Sequence, residues 1–247
     1  MKYTLLTGAT SDIGNSIAVS LSSDHNLLLI GRDLEKLNKL KLKCNNSERH
    51  KILVLDFNDL KNLRSELIDF IKSESILVEN IIHCAGMMKV MHMRSVDLNN
   101  THQIFSVNLF SIIEIISTLL HKRVNDCQMN SIVFISAILA RYGSTGHHLY
   151  SSTKAALDGL MRSLAVELAP KTRVNSILPG AVKTHMSQEL LSNEELLNKL
   201  NKDYLLGIGE PKDISPVVRF LVSNDSAWIT GQEFIVDGGR TINIKNN

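Results

Sequence analysis

Tyr150 and Lys154 close the run Tyr150-Ser151-Ser152-Thr153-Lys154. Their spacing of four puts a phenol and an ammonium on one face of a helix. A phenol with an ordinary pKa near ~10 exchanges its proton poorly at neutral pH. A cation held beside it favours the phenolate and brings it towards the working range of an acid–base catalyst. A second feature lies at the other end of the chain. There Thr7-Gly8-Ala9-Thr10-Ser11-Asp12-Ile13-Gly14 forms a glycine-bearing turn after a short apolar run. Glycine in such a turn lets the backbone approach a pyrophosphate, and the following helix presents its positive end to it. The two motifs together point to a nicotinamide dinucleotide site with its own proton donor.

Elements able to position these groups are legible in the pattern. Short β-branched or leucine-rich runs predict strands over residues 3–7, 27–31, 51–56, 80–84, 131–136, 173–178 and 233–237. Several are apolar throughout, as strands covered on both faces are. From Tyr150 to Leu168 the residues Leu157, Leu160, Met161, Leu164, Ala165 and Leu168 recur at helical steps, and Pro170 ends the helix. Strand–helix alternation over the whole length predicts an α/β chain. It is a single domain over 1–247, a doubly wound, seven-stranded parallel sheet with helices on both faces. One polar, leucine-bearing stretch, 184–211, breaks the rhythm and holds a possible capping box, Ser192-Asn193-Glu194-Glu195. It follows a strand end, where such folds place ligands, and is expected to be a substrate lid.

Composition narrows the function classes. The chain has 247 residues, 44% hydrophobic content and a net charge of +2, too balanced to argue for nucleic acid or a membrane surface. No uninterrupted apolar run reaches the ~20 residues of a bilayer span. The first residues lead directly into a strand and leave no room for a signal peptide. Cys44, Cys84 and Cys127 are odd in number and lack metal spacing. A cytoplasmic protein with reduced thiols and no metal is expected.

Six motifs in order resemble the short-chain dehydrogenase/reductase family over essentially the full length. Thr7-Gly8-x-x-x-Asp12-x-Gly14 resembles its Thr-Gly-x-x-x-Gly-x-Gly, His83-Cys84-Ala85-Gly86 its Asn-Asn-Ala-Gly, and Val107-Asn108 its catalytic asparagine. Tyr150-x-x-x-Lys154 matches the signature pair, Pro179-Gly180-x-x-x-Thr184 the turn over the nicotinamide, and Val236-Asp237-Gly238-Gly239 the last strand. The C-terminal segments 207–214 and 225–231 are most similar to those of 3-oxoacyl-(acyl-carrier-protein) reductases, and also occur in sugar and polyol dehydrogenases.

The resemblance implies a Rossmann fold, a ketone reductase and a homotetramer paired through long helices. It implies that Tyr150 donates a proton to the substrate oxygen. Lys154 lowers the tyrosine pKa and holds the nicotinamide ribose, and Asn108 anchors a water relay. Cofactor contacts are expected from Gly8, Thr10, Ser11, Asp12, Ile13, Gly14, Asp56, Phe57, Cys84, Ala85, Gly86, Asn108, Tyr150, Lys154, Pro179, Gly180, Val182 and Thr184. The second strand ends Gly31-Arg32-Asp33, without an acid for a free ribose hydroxyl. Arg32 suits a 2′-phosphate, so NADP(H) is the expected cofactor; pairing of Arg32 with Asp33 or Glu35 is the alternative.

The chain also departs from the pattern. Asp12 stands where the family has a glycine and is read as a helix N-cap. The family's serine lies about thirteen residues before the tyrosine, which here is Ala137, with Ser136 beside it. Either an extra residue in 141–149 brings Ser136 into play, or Ala137 fills the position and Ser144 or a water must orient the carbonyl. A one-residue slip along a strand reverses the side-chain face, so both cannot serve. His83 is expected to satisfy a core hydrogen bond. Met87, Met88, Met91 and Met93 suit either core filling or an adaptable pocket wall. His147 and His148 face either substrate or solvent. Lys122, Arg123, Lys171 and Arg173 form either a docking face for an acidic carrier protein or scattered surface charge. The substrate is thus a small or carrier-bound ketone. A sugar, polyol or glycan-precursor dehydrogenase, or a non-catalytic NADP(H)-binding module, is the alternative.

Overall fold

The computed structural model describes residues 1–126, 129–188 and 194–243. Its strands are β1 Lys2–Thr7, β2 Leu27–Gly31, β3 Lys51–Val54, β4 Leu77–His83, β5 Ser131–Ile135, β6 Arg173–Pro179 and β7 Glu233–Val236. They form one parallel sheet in the order β3-β2-β1-β4-β5-β6-β7. The order reverses between β1 and β4, so the chain winds outwards in both directions and leaves a crevice at the strand C-termini there. This is the doubly wound Rossmann architecture expected.

β2, and β5 after Ser131, are apolar throughout because each feeds two cores. Successive side chains point to opposite faces: Leu5, Leu28, Ile30, Ile132 and Phe134 enter one core, Leu6, Leu27, Leu29, Val133 and Ile135 the other. The first core is closed by helices α3 Leu63–Ser73, α5 Ser111–Leu119 and α6 His148–Leu168. The second is closed by α1 Asp12–Leu21, α2 Leu34–Lys43 and a C-terminal helix, Pro211–Val222. A helix α4, Leu98–Phe105, runs through a π-helical segment, Ser106–Phe110, into α5. This Leu98–Leu119 run is long and apolar enough to cross a membrane, but half of that stretch is packed inside the protein.

Differences from the expected boundaries have local causes. β4 starts at Leu77, because an irregularity in its pairing with β1 at Tyr3 and Thr4 lets Leu77 and Val78 join the ladder. β3 stops at Val54, because the Asp56 carboxylate turns back onto the Asn58 backbone and side-chain amides at 3.0 and 2.7 Å. Ser192 and Asn193 of the expected capping box, and Cys127, lie outside the described residues. Helix α7, Glu194–Asp203, follows, and the Pro211–Val222 helix is α8. The 184–211 excursion begins and ends at one place: Val182 bridges Gly209, and Gly209 N donates to Ala181 O at 3.0 Å.

Candidate active site

The turn after β1 is held mainly by backbone. Gly8 has φ +62°, and a Cβ there would meet Ala85 backbone at 2.6 Å. A Cβ on Gly14 would lie 2.2 Å from Gly8 O. Both glycines therefore let the turn close on β4 and α1 seat on the turn, a packing duty beyond the approach to phosphate read from sequence. The N-cap of α1 is Ser11, whose Oγ accepts from Gly14 N at 3.0 Å. This corrects the expectation for Asp12. Asp12 occupies the first helical position and turns outwards, accepting from His185 N at 2.7 Å and lying 3.0 Å from His185 Nδ1. Ser11 has the extended backbone that a cap requires, and its hydroxyl also donates to Gly8 O at 2.8 Å, which leaves the Asp12 carboxylate to tie the turn to the 184–211 segment.

A cavity of about 1060 Å³ opens from this turn across the strand ends. Thr10, Ser11, Asp12 and Ile13 line one end; Cys84, Gly86, Tyr150 and Lys154 the middle; Pro179, Gly180, Val182 and Thr184 the roof. Gly8, Gly14, Ala85 and Asn108 stand behind this wall. Phe57 is packed in the first core and Asp56 faces Asn58, so neither brings its side chain to the cavity. Arg32 is exposed at the end of β2. Neither alternative partner holds it: Asp33 caps α2 and pairs with Lys36, and Glu35 pairs with Lys39.

Tyr150 and Lys154 project from one face of α6. Lys154 is buried, its Nζ donating to Ile135 O at 2.8 Å and lying 5.6 Å from the Tyr150 ring centroid. Burial lowers Lys154 to about 8, with Cys84 and Asp158 offsetting part of the shift. Tyr150 is pushed well above its ordinary value by burial and, second, by Cys84. That direction is opposite to the expected lowering by Lys154. Withdrawal from water penalises the phenolate more than an ammonium already engaged by a carbonyl can compensate. The site as it stands holds Tyr150 as a phenol, the form that donates a proton.

Asn108 sits in the π-helical segment, an irregularity common at functional positions. Its Oδ1 accepts from Met87 N at 2.7 Å, and its Nδ2 donates to Met87 O at 3.0 Å and to Thr153 Oγ1 at 2.9 Å. The side chain thereby fixes the 86–88 loop that follows β4 against α6. His83 does satisfy a core network, between Thr7 Oγ1 at 2.8 Å and Asn108 O at 3.2 Å, and burial lowers it to about 3. Burial likewise raises the Cys84 thiol to about 11. A Cβ on Gly86 would lie 3.4 Å from Lys154 Nζ, so its absence leaves bare backbone beside the ammonium. That surface, with the α1 N-terminus, could hold a flat ring and a pyrophosphate.

Ser136 and Ala137 both border the cavity, but the Ser136 hydroxyl donates to Asp158 Oδ2 at 3.0 Å and lies 3.4 Å from Lys154 O. Ser144 and His147 line the cavity; His148 does not. Of Met87, Met88, Met91 and Met93 only Met88 does, and Met93 is exposed. Tyr204 and Arg240 were not anticipated. Tyr204 is buried, with its hydroxyl accepting from Ala181 N at 2.8 Å, and Arg240 lies 3.8 Å from Asp203. Arg173, read as part of a docking face, instead donates to Leu221 O, Ser223 O and Ser226 Oγ, clamping β6 to the end of α8. Lys122 and Arg123 are exposed.

A family model described as enoyl-(acyl carrier protein) reductase matches residues 8–241. The chain is 33% identical to a 3-oxoacyl-[acyl-carrier-protein] reductase of Buchnera aphidicola subsp. Baizongia pistaciae, with 96% of each covered. It is 28% identical to an L-rhamnose 1-dehydrogenase (NADP(+)) of Thermoplasma acidophilum, covering 99% of this chain and 98% of that one. A crystal structure of a short-chain dehydrogenase/reductase, glucose/ribitol dehydrogenase, from Brucella melitensis superposes with a TM-score of 0.88 at 26% identity, covering 97% and 96%.

Proposed function

Because the chain belongs to the short-chain dehydrogenase/reductase family and is most like 3-oxoacyl-(acyl-carrier-protein) reductases, we propose that it reduces a ketone with NADPH, Tyr150 giving the proton. The observation that carries this reading is the shared cavity: the α1 turn, Tyr150 and Lys154 border one continuous space. The reduced nicotinamide, when bound, supplies hydride to the carbonyl carbon. Tyr150 gives its proton to the carbonyl oxygen, so C=O becomes a secondary alcohol. Lys154 keeps a positive charge beneath the tyrosine and offers a donor to the ribose. Asn108 holds the 86–88 backbone in place. Arg32, without a carboxylate partner among the described residues, is read as the ligand of the 2′-phosphate, and Thr10, Ser11 and Ile13 as ligands of the pyrophosphate.

The substrate is read as a 3-oxoacyl group on an acidic carrier, with Lys122, Arg123 and Lys171 the remaining docking cations. The similarity to an L-rhamnose dehydrogenase keeps a sugar alcohol as the second reading. Self-association into a homotetramer belongs to the same reading. It is supported by Val166 on α6, 82% exposed, and Trp228 beside β7, 99% exposed; sedimentation as a monomer at micromolar concentration would remove it.

The primary test follows NADPH absorbance with a short 3-oxoacyl thioester and with sugar lactone or ketose controls. Tyr150→Phe is expected to lower turnover by ~10³-fold while leaving NADPH affinity, read by fluorescence, within about twofold. A wild type that binds NADPH and reduces no ketone would leave a binding module.

A further inference from the structure

Reduction builds negative charge on the carbonyl oxygen, and a site with two hydrogen-bond donors aimed there stabilises it more than a site with one. Tyr150 is one donor. Ala137, which borders the cavity, has none to offer, and the Ser136 hydroxyl is committed to Asp158 at 3.0 Å. Lys154 Nζ is directed to Ile135 O. On the loop between β5 and α6, Ser144 also borders the cavity, and its Oγ lies 3.0 Å from His147 Nδ1.

The direction of that hydrogen bond follows from its neighbour. His147 Nδ1 also lies 2.9 Å from Thr145 O. A carbonyl oxygen only accepts, so Nδ1 must carry the proton, whatever the charge of the ring. Ser144 Oγ can then only accept from that nitrogen, which shares its one proton with Thr145 O, and its own O–H is left to donate. His147 stands three residues before Tyr150, so the two neighbour each other at the start of α6. The loop is pinned there: His147 N donates to Ser144 O at 3.2 Å, and Met91 N to Gly146 O at 3.1 Å. Gly146 has φ +78°, and a Cβ on it would meet Val90 Cγ1 at 2.8 Å, so the turn is fitted to its position.

We propose that Ser144 donates the second hydrogen bond to the substrate carbonyl oxygen, in the role that Ala137 cannot fill, with His147 as the residue that orients it. This rests on the ketone-reductase reading. In it Ser144 is a catalytic residue and His147 a positioning residue.

The test uses the full chain with NADPH and the ketone that the wild type turns over. Ser144→Ala is expected to lower kcat by ~10²-fold with little change in KM. Ser144 is exposed to the cavity, so its truncation leaves the fold intact. Adding Ala137→Ser to Ser144→Ala should restore kcat at least tenfold, because a hydroxyl returns to the same space from the other wall. His147→Ala should lower kcat by about the same factor and cost nothing further in the Ser144→Ala background. Nitrogen-15 spectra of the cofactor-free protein should show His147 protonated at Nδ1. Ser144→Ala within threefold of wild type, no gain from Ala137→Ser in a folded double variant, or a His147 ring protonated only at Nε2 would each overturn the proposal. A wild type that turns over no ketone fails the underlying reading and takes the proposal with it.

Discussion

The two ends of the cavity are built by different means. At the cofactor end a single stretch, residues 7–15, makes the turn: Gly8 and Gly14 permit close backbone contacts, Ser11 caps the helix, and Asn15 Nδ2 donates to Ala9 O at 3.1 Å. At the substrate end the wall is assembled from four separated stretches: Ala137 to His147, Gly180 to Ser187, Leu200 with Tyr204, and Arg240 to Asn243. The first end depends on where backbone lies, the second on which side chains meet. Backbone contacts tolerate no added atom, whereas a side-chain wall can exchange one donor for another. The departure from the family pattern at Ala137 falls on the second kind of wall; the one at Asp12 falls on the first, where the side chain turns away to His185.

The sharpest way to break this contrast is to add one atom at the cofactor end. Gly14→Ala places a Cβ 2.2 Å from Gly8 O and 3.0 Å from Ala9, so either the turn or the helix must shift. A loss of about 3 kcal/mol is expected in urea unfolding, together with weaker dinucleotide binding. A loss below about 1 kcal/mol would show that the turn yields, and the two ends would then differ less than their contacts suggest.

Arg32 tests the same end by charge instead of space. It is exposed, beyond β2, and held by neither Asp33 nor Glu35. Arg32→Asp should turn a preference for NADPH into one for NADH, moving the ratio of their affinities by ~10²-fold in a fluorescence titration. An unchanged ratio would assign the phosphate to another cation; Lys36 and Lys39, which border the same cavity, are the neighbouring candidates.

The same division explains what the sequence disclosed. Strand positions were legible because every second residue of β1, β2 and β5 serves one of two cores, which forces continuous apolar runs. The glycine turn and the Tyr150/Lys154 pair were legible because each lies within one local stretch. Asp12 was misread because a cap is decided by which of two adjacent polar residues has non-helical backbone, and Ser11, at φ −72° and ψ 162°, has it. Tyr204 and Arg240 were invisible because their place depends on how a long excursion folds back over β6. The commitment of Ser136 depends on Asp158, two elements away in the chain, and no spacing rule announces that contact.

Asp158 offers the smallest test, and it bears on the side-chain wall. It lies one turn beyond Lys154 on α6 and is buried. Burial raises its pKa from 3.8 to about 6, with the Ser176 and Ser136 hydroxyls and Lys154 opposing the shift and Glu233 adding to it. The native state therefore holds this proton more tightly than the unfolded chain does. The stability this confers is fully present below the unfolded value and is lost as pH rises through about 6. Asp158→Asn keeps an acceptor for Ser136 and removes the titration. The variant should unfold with a flatter pH dependence between about 4 and 7, and be more stable than wild type above that range by about 2 kcal/mol. If wild type and variant follow parallel pH curves between about 4 and 7, folding does not raise the Asp158 pKa and the carboxyl is ionised over that range. Ser136 would then be held by a full carboxylate charge, and its hydroxyl would be still less available to substrate than the hydrogen bond alone implies.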